Sequence, residues 1–154
     1  MKKIGMIGIT LALTLFLISF TNTSAKSNKA KSTYKAMLAS KQLASSGKTK
    51  ANGHAEFVFS KDGKELTYKL YVSGIDSVSM AHIHHGPFGK EGPIVVWLYK
   101  TPITGKFSGL LSQGTITDKD TNLDSLRAWM SEGDTFVLVH TQKFPNGEIG
   151  GKIK

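Results

Sequence analysis

From Gly53 to the end of the chain, apolar residues keep returning at every second position, in short runs separated by turn residues. That period commits the chain to β-structure, because successive side chains of a strand point to opposite faces. Ala55, Phe57 and Phe59 alternate with His54, Glu56 and Val58, and Leu66, Tyr68, Leu70 and Val72 alternate with Thr67, Lys69 and Tyr71. Asp62-Gly63 between them is a hairpin signal, and Ser73-Gly74 is expected to end the second run. A further run, Ile94 to Tyr99, stops at Thr101-Pro102, since proline cannot donate to a ladder. Lys106 to Thr117, with two glycines, predicts a bent or bulged strand. Asn146-Gly147 predicts a second hairpin between Thr135–Thr141 and Glu148–Ile153. One segment keeps a different period. Leu123, Leu126 and Met130 lie three and four apart, after Asp120-Thr121-Asn122 and before Gly133, which predicts one short helix near 121–132 covering an end of the sheets. Ser32 to Leu43 fits an edge strand or a short helix equally well. The whole predicts a mostly antiparallel β-sandwich with one short helix.

The chemistry concentrates in Met80-Ala81-His82-Ile83-His84-His85-Gly86-Pro87-Phe88-Gly89-Lys90-Glu91-Gly92-Pro93. In a strand, His82 and His84 share one face and Ala81 and Ile83 the other. The loop that follows turns at Gly86, Gly89 and Gly92. Near the C-terminus, His140 lies on the face of Phe136 and Leu138, with Thr141 beside it and Glu148 after the turn. If the two strands are neighbours, three imidazoles converge, and three histidines with one open position suit copper or zinc. The same residues also suit a purely structural role. A half-buried histidine can donate to a carbonyl and pin a loop, with Glu148 as its partner or as acceptor for the glycine-loop amides. His54 and His85 are expected to face solvent, and Trp97 and Trp129 to sit in the core.

Two motifs carry a family resemblance. Ala-His-Ile-His with Gly86, followed by Gly89, Gly92-Pro93 and Ile94-Val95-Val96, resembles the signature of the CHRD domain, the module named after chordin and found in many bacterial secreted proteins. Val139-His140-Thr141 and Phe144-Pro145-Asn146-Gly147-Glu148-Ile149-Gly150-Gly151 form a second block in the same order. The likeness spans roughly Tyr34 to Lys154. The family pattern usually has Asn where this chain has Leu138 and Arg where it has Gly150, and its early Glu-Val-Pro-Pro element is absent. The resemblance implies an immunoglobulin-like or superoxide-dismutase-like β-sandwich. A dismutase's bridging histidine, zinc aspartate and further copper ligand have no match here, so that enzyme is not implied.

The N-terminus is a separate matter. Lys2-Lys3, the uncharged run Ile4 to Phe20 and the small residues Thr23-Ser24-Ala25 predict a signal peptide over residues 1–25, with an uncleaved anchor as the alternative. Residues 26–50 hold seven lysines and no acid, whereas residues 51–154 balance 11 basic against 11 acidic residues. The basic character therefore belongs to a flexible segment, 26–50, and the folded domain is expected over 51–154, or from near residue 34. Such a lysine-rich segment fits attraction to an anionic cell-envelope surface and fits a plain soluble spacer equally well. Basic residues without interleaved aromatics, on an exported chain, argue against nucleic acid. With no cysteine, neither disulfides nor a lipid anchor are available, and the core alone must hold the fold. No nucleophile motif, phosphate loop or paired carboxylates are present. The reading is a secreted or extracytoplasmic, non-catalytic binding or structural module, and its alternative a copper- or zinc-binding protein with redox activity at the metal.

Overall fold

The computed structural model describes residues 32–40, 43, 49–90 and 92–154. The signal-peptide assignment, and most of the lysine-rich segment, lie outside the described residues. The elements are β1 (Thr33–Ala39), β2 (Asn52–Phe59), β3 (Leu66–Asp76), β4 (Val78–His85), β5 (Ile94–Tyr99), β6 (Lys106–Ile116), α1 (Leu123–Glu132), β7 (Thr135–Thr141) and β8 (Ile149–Lys152). All eight strands pair antiparallel in the order β5-β4-β7-β8-β1-β2-β3-β6. The sheet nearly closes on itself around one core.

Two halves of this sheet meet at a thin seam. β1 and β8 share the pair Ala39↔Gly150, the bridge Ala36↔Ile153 and two backbone bonds between Lys35 and Lys154. A Cβ at Gly151 would collide with the Met37 carbonyl oxygen, so the close approach of the two strands requires glycine there. Beyond the seam, β1, β2, β3 and β6 form one half and β5, β4, β7 and β8 the other. Phe57, Leu66, Leu70 and Ile75 from the first half pack with Ala81, Ile83, Val137 and Val139 from the second.

The structure corrects three local expectations. β1 is a strand but not an edge, and Tyr34, Ala36 and Leu38 bury one face of it in the core. Thr33–Ala39 of the lysine-rich segment are therefore part of the sheet. Ser73-Gly74 does not end β3. Gly74 takes a positive φ of 64° in a register shift between Val72 and Ile75, and the strand runs on to Asp76. Trp97 is not a core residue and stays 45% exposed. The helix forms where its spacing predicts. Asn122 Oδ1 accepts from the Ser125 N–H at 2.8 Å, and Gly133 closes the helix in the left-handed region with φ 73°. Its buried Leu123, Leu126 and Met130 join the core, and Tyr34 is tied to Ser131 at 2.7 Å.

Candidate metal centre

β4 lies between β5 and β7, and its register decides what meets. His82 pairs with Leu138 and His84 with Phe136, so residues 136, 138 and 140 of β7 share the histidine face of β4. His140 thereby becomes the diagonal neighbour of His82, a position within reach of ring side chains. The ring centroids lie 5.0 Å apart for His82 and His140, 5.5 Å for His82 and His84, and 6.4 Å for His84 and His140. All three residues are buried, His82 to 1% exposure.

Their hydrogen bonds are asymmetric. His84 Nδ1 lies 2.8 Å from the Gly92 carbonyl oxygen, and His140 Nδ1 lies 2.8 Å from that of Pro145. A carbonyl oxygen can only accept, so both rings carry their proton on Nδ1 and leave Nε2 as a lone pair. Among the described residues, neither of those Nε2 atoms, nor either nitrogen of His82, has a hydrogen-bonding partner. One nitrogen from each ring comes within 4.8 Å of the other two. Such atoms lie at most roughly 2.8 Å from a common centre, and a bound zinc needs about 2.0–2.1 Å. Each nitrogen would have to move inward by up to about 0.7 Å to reach that distance.

Burial also sets the charge state. Desolvation first, then the neighbouring His140, His84 and Lys100, push the His82 imidazole down to about 4. His140 is lowered by the same desolvation, opposed in part by its bond to Pro145. Neutral imidazoles are the form that ligates metal.

Two loops hold these rings. In the 86–93 loop, Gly86 and Gly89 take positive φ angles of 122° and 87°, and a Cβ at Gly92 would strike the His85 carbonyl oxygen. Only glycine lets residue 92 approach closely enough to present its carbonyl to His84. In the turn after β7, Thr141 Oγ1 donates to Glu148 Oε2 at 2.9 Å, and both residues are buried. Glu148 thus bonds neither a histidine nor the glycine loop. It closes the turn that carries Pro145. His85 stacks on Trp129 at 4.1 Å, and His54 on Tyr71 at 4.7 Å, so neither joins the cluster nor stands free in solvent.

Some participants have no signal in the sequence. Trp97, paired with His82 across β4 and β5, sets its ring 4.2 Å from that imidazole. Phe136 stacks on His84 at 5.1 Å. A cleft of about 490 Å³ borders the cluster, with His84, His140, Phe136, Leu138, Ile94 and Lys90 among its walls. Leu138 and Gly150, the two departures from the family pattern, turn out to be cross-strand partners. A Cβ at residue 150 would come within 2.6 Å of Leu138 Cδ2, so the leucine occupies the space that a larger residue would need.

The model of the CHRD domain matches residues 34–153. No curated protein and no solved structure matches the chain.

Proposed function

The chain belongs to the CHRD domain family, and from that premise we propose that it is an exported binding module whose bound species is one copper or zinc ion, held by His82, His84 and His140. Family membership supports a binding or structural role, and CHRD domains occur in extracellular and secreted proteins. One observation favours a metal as the bound species: three buried imidazoles bring one nitrogen each within 4.8 Å of the others, and each ring keeps a nitrogen without a partner among the described residues. A buried polar atom without a partner costs about 1–3 kcal/mol, and a core position that only needs filling is served better by leucine. Coordination returns that cost. The carbonyls of Gly92 and Pro145 act on His84 and His140 as outer partners do in metal sites, fixing the tautomer and raising the basicity of the free nitrogen. An all-nitrogen set suits copper and zinc and disfavours calcium and magnesium, which take oxygen ligands.

Export is supported by the charged, then apolar, then small-residue order of residues 1–25. Lys26, Lys29 and Lys31, ahead of β1, give the mature chain a basic leader suited to anionic envelope surfaces. The test uses the chain recovered outside its producing cell, without a histidine tag. The expected result is an N-terminus at Lys26, attachment to the envelope that weakens as salt rises, and one equivalent of copper or zinc. His84→Ala and His140→Ala should each abolish stoichiometric binding. A full-length chain retained inside the cell overturns export, and attachment indifferent to salt overturns the basic leader. Metal binding that is absent from wild type, or that survives both substitutions, overturns the metal reading.

A further inference from the structure

Three neutral imidazoles bring no negative charge to a metal ion. A divalent ion at this site would keep both its charges among buried imidazoles and the Phe136 ring, which is costly without a counter-charge. Among the described residues, no aspartate or glutamate lines the adjoining cleft, and its charged wall residue is the cation Lys90. Glu148, after the turn that carries Pro145, is engaged with Thr141. His84 and His140 border the cleft and His82 does not, so the cleft adjoins the cluster on the side of those two rings.

The cleft itself narrows the class. Its volume of about 490 Å³ far exceeds what water or a halide needs, and falls within the roughly 300–1,000 Å³ typical of small-molecule sites. Leu43, Ile94, Phe136 and Leu138 make its walls apolar, while Lys90 and Asn146 supply polar groups. Ile94 remains 43% exposed, an apolar side chain offered to whatever enters.

We propose that an organic carboxylate with an apolar body occupies this cleft, its carboxylate completing the coordination of the metal and its body lying against Phe136, Leu138 and Ile94. The inference rests on the metal reading above. Coordination supplies the missing negative charge, Lys90 strengthens it, and the apolar body displaces water from the leucine and isoleucine surfaces. The site would then bind metal and carboxylate as a pair, each raising the affinity for the other, as linkage requires.

The experiment titrates the copper(II)-loaded mature chain with acetate and with benzoate, followed by the visible and electron paramagnetic resonance spectra of the metal. Benzoate should bind one per metal, at least tenfold tighter than acetate, and should not bind the metal-free chain. Lys90→Ala should weaken both anions several-fold. Leu138→Asn should weaken benzoate alone, and because Lys90 is exposed, its variant keeps the test intact if the Leu138 substitution misfolds. A chain that takes up copper but shows no spectral response to either anion overturns this inference and leaves the metal reading standing. Equal affinities for acetate and benzoate overturn the apolar body. Benzoate binding that appears only in Glu91→Gln means that this glutamate, which lies outside the described residues, fills the position itself, and the inference fails. A chain that takes up no copper overturns both readings.

Discussion

β2 and β4 are both eight-residue strands, and they show the two ways this sheet uses an alternating sequence. In β2, Gly53, Ala55, Phe57 and Phe59 are buried while Asn52 and Val58 are exposed and His54 and Glu56 are half-buried. One face feeds the core and the other meets water, the ordinary arrangement of an antiparallel strand. In β4, residues 81 to 84 are all buried. Ala81 and Ile83 feed the core, yet His82 and His84 are covered too, by Trp97 on one side and by the loops of residues 86–93 and 142–148 on the other. A face that alternation marks as outward has been roofed over. Four histidine nitrogens without partners among the described residues gather under that roof. The β2 half is built for stability and the β4 half spends some of it.

If this division is real, substitutions in the two halves should fail in different ways. The largest effect is expected from Phe57→Ala. Phe57 is fully buried, and removing a phenyl ring from a packed core costs about 3–5 kcal/mol. Chemical denaturation should show that loss with and without metal, while the folded fraction keeps its full metal stoichiometry. Metal affinity that falls in step with stability would break the comparison.

Acid should separate the halves next. His82 titrates at about 4 in the folded chain and near 6.5 when unfolded. Between those values the unfolded chain carries the proton and the folded chain does not. Stability from this group is therefore complete above about pH 6.5 and is lost as pH falls towards 4, by roughly 3 kcal/mol in total. His140, lowered in the same direction, adds to the loss. Denaturation midpoints of the metal-free chain at pH 7, 5.5 and 4 measure it. Carboxylates also titrate at the low end, so the decisive quantity is the difference between wild type and a His82→Leu variant. Parallel pH profiles would show that His82 is not held neutral by burial.

The β2 half was more legible in the sequence than the β4 half, for a physical reason. Hairpins such as Lys61–Lys64 and caps such as Asn122 and Gly133 act through neighbours in the chain, so their residue types declare them. The period of two likewise places His82 beside His84 and separates both from Ile83. What covers those histidines depends on contacts distant in sequence. Trp97 reads as an apolar-run residue, and only its pairing with His82 turns it into a cover for the site. Leu138 and Gly150 read as two separate departures until β7 and β8 pair. β1 hid for another reason. Its lysine and small residues resemble the segment ahead of it, and only partners on both sides give Tyr34 and Leu38 a core to enter.

The smallest stability effect is expected at the most buried histidine, and it tests the division most sharply. Both nitrogens of His82 lack partners among the described residues, so His82→Leu removes two desolvated polar atoms without orphaning another described group. The leucine keeps most of the contact with Trp97 and with the neighbouring rings. Replacing an unsatisfied polar side chain by an apolar one of similar size is near neutral or stabilising. The metal-free variant should therefore melt at the wild-type temperature or a few degrees above it, 1 kcal/mol being about 2–8 °C for a domain of this size. The wild type should gain further stability from copper or zinc by preferential binding to the native state, and the variant should gain none. His84→Leu and His140→Leu should not behave alike, because each abandons a carbonyl that the ring now satisfies. A loss of 2 kcal/mol or more in the metal-free His82→Leu chain would mean that its nitrogens already serve the fold, and the cluster would then belong with β2 as structure.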